Sequence, residues 1–297
     1  MKQKLVTGIV IIFCLGVLVL AARWTPSDAG KGKIKVGQPA IGVVKVEGVL
    51  MSSGGTYGGT AGTADIMQAL QEARKREDIK AVLLRIDSPG GSAVAAQEVG
   101  EEIDRVRAAG KPVVASMGDV AASGGYWIAA SCDEIYANPA TTTGSIGVIT
   151  ELLNVQGLFE KLGIRSEVIK SGPYKDMGSM NREITPEERQ ILEDLVGDVY
   201  QQFLEQVETG RKGKIKPEEV RALADGRVMT GKQAQKSGLV DTMGNYYDAL
   251  DRARELAHIE GEPQVVELNS ADPLTRLLSR FSASSLVNNN TRVPMAY

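Results

Sequence analysis

The chain has 297 residues, and 34 lysines and arginines against 37 aspartates and glutamates leave a net charge of −3. With no basic cluster beyond Arg74-Lys75-Arg76 and Arg211-Lys212-Gly213-Lys214, both solvated helix ends, nucleic acid is not the expected partner. One histidine and two separated cysteines cannot build a typical zinc site, so no metal is expected.

Met1-Lys2-Gln3-Lys4 is a basic n-region, and Leu5 to Ala22 is apolar and uncharged. As a helix the stretch spans about 27 Å, close to a bilayer's hydrocarbon core. Lysines ahead of it favour a cytoplasmic N-terminus and an exported body. A cleaved signal peptide is the rival reading, since Val19-Leu20-Ala21 resembles a processing site; Arg23 and Trp24 fit a retained anchor better. Cys14 falls in this stretch and Cys132 in the body, so no internal disulfide is expected.

Residues 23–40 read as a polar linker, and 41–270 as one large α/β domain. Ile41-Gly42-Val43-Val44-Lys45-Val46 predicts a strand, and Ser52 to Thr63 a Gly/Ser/Thr-rich loop near the site. A helix is expected over 64–76, a strand over 81–86, a helix over 93–109 and a strand over 112–117. Asp133 to Ala137, 145–149 and Ser166 to Lys170 also look strand-like. Thr185-Pro186-Glu187-Glu188 opens a long helix with an N-cap, an N1 proline and early acids. The β-α alternation implies a parallel sheet with helical cover. Residues 271–297 read as a short helix and a polar tail.

Ala121-Ala122-Ser123-Gly124-Gly125-Tyr126-Trp127 places a serine on a glycine-lined turn between an apolar strand and a helix. Such a turn displays a hydroxyl, and small neighbours let a substrate backbone approach. An ordinary turn serine is the competing reading. A serine nucleophile needs a base. His258 ends a surface helix and reads as structural, which turns attention to lysine. A lysine acts as base only when deprotonated, so burial must hold it well below its ordinary pKa of about 10.4. Lys175, in Ser171-Gly172-Pro173-Tyr174-Lys175-Asp176, sits on a constrained loop beside an aromatic residue and Met177. Ser88-Pro89-Gly90-Gly91, between a strand and a helix, offers backbone N–H groups for an oxyanion. Ser145, in Thr143-Gly144-Ser145-Ile146-Gly147-Val148, could orient a lysine.

These four motifs, in this order, resemble the signal peptide peptidases of the SppA type, over roughly 41–257. The resemblance implies a bacterial membrane-bound serine protease with a Clp protease/crotonase-like fold and no cofactor. It makes Ser123 the nucleophile, Lys175 the general base, Gly90 and Gly91 the oxyanion donors and Ser145 the orienting group. Gly124, Tyr126 and Gly144 become candidates for the substrate groove. Its substrates would be short apolar peptides such as released signal peptides. The catalytic domain would be extracytoplasmic on a single-pass anchor. Double-length relatives carry lysine and serine in different halves, so a chain of this length is expected to self-associate and share the dyad between neighbours. A crotonase-type acyl-CoA enzyme and a non-catalytic membrane scaffold are the alternatives.

Overall fold

The computed structural model describes residues 38–52 and 60–269. The apolar stretch 5–22 and the tail beyond 269 lie outside them. Among the described residues no helix is long and apolar enough to cross a membrane.

The elements follow the expected alternation. Strand β1 is Ala40–Glu47, β2 Val49–Met51 and β3 Thr60–Gly62; helix α1 is Thr63–Lys75. Then come β4 (Ile79–Ser88), α2 (Ala93–Ala108), β5 (Val113–Ala122), α3 (Gly124–Ala130), β6 (Glu134–Ala137) and β7 (Thr142–Gly144). The second half holds α4 (Gln156–Lys161), α5 (Pro186–Gly210), α6 (Pro217–Leu223), β8 (Val228–Thr230), α7 (Gly231–Lys236), β9 (Thr242–Met243), α8 (Tyr246–Leu256) and β10 (Gln264–Glu267).

The main sheet runs β10-β1-β4-β5-β6-β9, every neighbour parallel. β7 adds to β5 in parallel, and β8 pairs antiparallel with β7. β4 and β5 are apolar on both faces because helices cover both sides: Val82, Leu83, Leu84, Val113, Val114 and Ala115 are fully buried. Aliphatic side chains from α1 and α2 close one face; Ala249 and Ala253 of α8 close the other.

Two differences from the expected elements bear on the site. β5 does not stop at Met117. Gly118 and Asp119 look like a turn but form an irregularity, with Met117 opposite Ile86 and Ala121 opposite Ser88. Asp87 accepts the Val120 N–H there at 3.0 Å, and the strand runs on to Ala122. The strand expected over 145–149 is instead Thr142–Gly144, because Ser145 takes a left-handed φ of 51° and turns the chain out of the ladder. The run Ser166 to Lys170 forms no strand either: among the described residues no segment pairs with it, and Ile169 is 97% exposed.

The long helix begins as the sequence directs. Thr185 caps Glu188 N–H, and Glu188 returns a bond to the Thr185 N–H. His258 lies just past α8 at φ 53°, its N–H bonded to Glu255 O, in the position of a helix terminator. Cys132 is buried, as expected of a small apolar residue, and burial pushes its thiol far above the ordinary range.

Candidate active site

Three parallel strands deliver the motif loops to one edge. β4 leads into Pro89-Gly90-Gly91, β5 into Ser123 and β7 into Ser145. Register fixes their order: Ser88 lies opposite Ala121, and Ala122 opposite Gly144. The carboxyl ends of a parallel sheet are where α/β folds place their sites.

Ser123 occupies the strand-to-helix turn at φ 52°, ψ −122°. A left-handed serine is strained, and it persists only where its surroundings over-determine it. Here its N–H donates to Gly144 O at 2.9 Å and its carbonyl starts α3 by accepting Trp127 N–H at 2.9 Å. Both backbone groups are spent on scaffold, which leaves the side chain half-exposed at the edge.

The glycines beside it have no room for a side chain. A Cβ on Gly90 would lie 2.8 Å from Ser123 Cβ and 2.7 Å from Gly124 N; one on Gly91 would lie 2.3 Å from Leu50 O. Both take positive φ, 98° and 147°. Their N–H groups differ. Gly90 donates to Ser88 Oγ at 3.1 Å, and Ser88 Oγ in turn donates to Gly48 O. Among the described residues Gly91 N–H has no acceptor. Nor does the N–H of Gly124, the first residue of α3, have an acceptor within the helix.

A cavity of about 390 Å³ opens at Ser123. Gly91 and Gly124 line it at the serine end, and Trp127, Leu195, Val199 and Phe203 give it an apolar wall. Trp127 and Phe203 meet with ring centroids 4.8 Å apart, joining α3 to α5. Of the groove candidates, Gly124 lines this cavity and the other two do not. Tyr126 is fully buried on the opposite side of α3, its hydroxyl donating to Leu239 O at 2.8 Å. Gly144 is buried and serves by accepting the serine N–H. Ser145 is half-buried next in chain, its N–H on Arg227 O at 2.8 Å.

Lys175 is elsewhere. It is exposed on a loop of turns between Ser171 and Ser179, with Tyr174 beside it 48% exposed, and it does not line the serine's cavity. Within one chain the flanking aromatic therefore does not dry it. Asp176 and Glu188, both bonded to Arg182, are the strongly perturbed carboxyls of this region. Arg182 first and then Lys170 hold the Asp176 carboxyl well below the usual carboxylate range. Arg182 and the Thr185 N–H hold Glu188 at about 2.

Two parts of this site escape a motif reading. The α5 wall is spelled by Leu195, Val199 and Phe203, spaced four apart; the spacing marks a face but not what the face covers. The Arg182 contacts link residues six positions apart on either side and have no motif of their own.

Comparison with known proteins matches residues 105–260 to Peptidase family S49. A Synechocystis sp. protein named "Putative protease slr0021" is 44% identical over 217 residues, 72% of this chain and 76% of that one. "Protease 4" of Salmonella typhi is 36% identical over 252 residues, 82% of this chain but only 39% of its own length. An Enterococcus faecium protein named "Putative signal peptide peptidase SppA" is 38% identical over 191 residues, 64% of this chain and 55% of its own length.

Proposed function

The chain belongs to peptidase family S49 and is a serine protease, and from that premise we propose that it cuts short apolar peptides with Ser123 as nucleophile and the Lys175 of a neighbouring subunit as base. One observation carries this reading. Ser123 sits at a strained turn opening on an apolar cavity, while Lys175 stands exposed outside that cavity. A second copy of the chain would bring a lysine to the serine and cover it, and the covering surface would supply the dry setting a lysine base needs.

The chemistry follows from the groups at the edge. The lysine Nζ accepts the Ser123 proton as Oγ attacks the peptide carbonyl carbon. The N–H groups of Gly91 and Gly124 meet the oxyanion, each worth about 3 kcal/mol in the transition state. Gly90, whose own N–H is engaged, keeps that loop close to the serine. Ser145, one step beyond β7, orients the lysine. The protonated lysine then gives its proton to the leaving amine, and water attacks the acyl-enzyme with the lysine again as base. Trp127, Leu195, Val199 and Phe203 would accept an apolar side chain of the substrate.

The apolar, uncharged run from Leu5 to Ala22 supports a membrane anchor behind a linker at 23–40, with the protease domain, 41–270, held outside the cytoplasm. Signal peptides left in the bilayer after export are the substrates such a placement favours.

The test is hydrolysis of an apolar fluorogenic peptide by the full-length chain in detergent. Ser123→Ala and Lys175→Ala should each lose activity by about 10⁴-fold or more. Co-expressed, the two variants should recover part of it, because some neighbours would then pair an intact serine with an intact lysine. Loss without recovery in demonstrably mixed oligomers would place the dyad within one chain; full activity of Lys175→Ala would remove lysine from the mechanism.

A further inference from the structure

Little holds the loop that carries Lys175 in place. Its backbone bonds are local turns: Lys175 N–H to Gly172 O at 3.3 Å, Met177 N–H to Tyr174 O at 3.1 Å and Ser179 N–H to Asp176 O at 3.0 Å. No strand flanks it, and Ile169 and Tyr174 are open to solvent.

One side chain connects this loop to the rest of the site. Arg182 donates from Nε to Asp176 Oδ2 at 3.0 Å and from Nη2 to Asp176 Oδ1 at 2.9 Å, a two-pronged grip. Its Nη1 donates to Glu188 Oε2 at 2.8 Å, and Nη2 reaches Glu188 Oε1 as well. Lys170 Nζ adds a bond to the Pro173 carbonyl at 2.9 Å and another to Asp176. Asp176 is the residue after Lys175. Glu188 is 1% exposed and built into the capping box of α5. Two turns further on, α5 presents Leu195 and Val199 to the serine's cavity. The guanidinium therefore lies between the loop that presents the lysine and the helix that walls the serine's cavity.

An isolated surface ion pair adds little to stability. This one differs in geometry, because a planar fork holds two carboxylates at once and fixes their separation. Without it the two like charges would repel each other, and the loop would keep only its turns and the local bonds from Lys170.

We propose that Arg182 is a positioning residue for the protease reaction: by clamping Asp176 to Glu188 it fixes the direction in which the loop presents Lys175. The proposal rests on Lys175 being the base. A lysine clamped in place meets the serine in one geometry. A lysine on a loosened loop meets it rarely and in wetter surroundings, where it holds its proton more tightly.

The test uses the full-length protein with Arg182→Lys and Asp176→Asn, both milder than removal of the clamp, beside Lys175→Ala. Arg182→Lys keeps the charge and loses the fork. Both variants should lower kcat by about 10- to 100-fold, as a misplaced catalytic group does. KM should stay within twofold, melting temperature and oligomer size should hold, and the rising limb of kcat against pH should move to higher pH. Wild-type kcat and an unmoved limb in both variants, with Lys175→Ala inactive, would overturn the proposal, as would a loss confined to KM. Full activity of Lys175→Ala would instead show that the dyad reading itself is wrong, and the proposal with it.

Discussion

The serine and the lysine are held by different physics. Ser123 is placed by backbone: two strand registers, a helix start and close-packed glycines fix it to the core, and Ala121 and Ala122 before it on β5 are buried. Lys175 is placed by side chains: a loop of turns, exposed to solvent, stitched by charged hydrogen bonds. A nucleophile beside an oxyanion site needs fixed geometry, which a packed sheet edge supplies. On the proposed reading, a base that comes from another subunit would have to remain accessible until assembly, and such an element could not be packed into its own core.

Each half has its own arginine clamp, and removing them should give unequal results. Arg211 is buried under the serine half. It donates to Gly238 O at 2.8 and 3.0 Å and to both Asp241 oxygens, at 2.8 and 2.9 Å, while Asp241 also accepts the Ile135 N–H. Burial opposes the charge on Asp241, yet Arg211 and Lys214 outweigh it and hold the carboxyl below its ordinary value. This clamp pins the segment that receives the Tyr126 hydroxyl under α3. Arg211→Ala removes a fully buried side chain and leaves the half-buried Asp241 carboxylate with Lys214 but without its fork, and should cost about 3 kcal/mol, the lower end for a broken buried pair. Urea unfolding would measure it. A cost as small as that of an exposed pair would erase the contrast between the halves.

Glycines sharpen the same comparison at smaller scale. Gly90→Ala forces a Cβ against Ser123 and Gly124 at a positive φ and should cost about 1–3 kcal/mol from overpacking, with activity falling further. Gly172, three residues before Lys175, has nothing within 4 Å of its Cβ position and no positive φ. Gly172→Ala should leave stability within about 0.5 kcal/mol of wild type. Thermal melts of the two variants side by side decide it; equal losses would mean that the lysine loop is packed after all.

The same division explains what the sequence disclosed. The serine half was legible because its demands fall on contiguous residues: Pro-Gly-Gly and Ser-Gly-Gly are needed where backbones touch, and β-branched runs announce a buried parallel sheet. The β4, β5 and α2 expectations differ from the structure by a few residues, chiefly where the Gly118-Asp119 irregularity imitates a turn. The lysine half was legible only as a motif. Ser166 to Lys170 has strand composition, but composition does not supply a pairing partner. The strand expected over 145–149 is misplaced because nothing in its letters marks Ser145 as left-handed. The α5 wall and the Arg182 fork depend on which residues meet in space, and a periodic apolar face or a lone arginine does not say that.

The smallest effect tests whether the lysine half is electrostatic at all. Glu188 has an ordinary pKa of 4.5 and is held at about 2 in the folded chain, by Arg182 first and the Thr185 N–H second. A carboxyl depressed by folding contributes stability that is complete above its unfolded pKa and is lost as pH falls through the folded one. The contribution of this group is therefore full at pH 5 and above, and fades between about pH 4.5 and 2. Glu188→Gln has no such charge to lose. The difference in melting temperature between wild type and Glu188→Gln should hold steady from pH 8 down to 5 and then shrink as the pH falls toward 2. Asp176, depressed by the same arginine, shifts in the same sense. A difference that stayed constant into acid would mean that Glu188 acts only by its shape in the helix cap, and the clamp on the lysine loop would then rest on Asp176 alone.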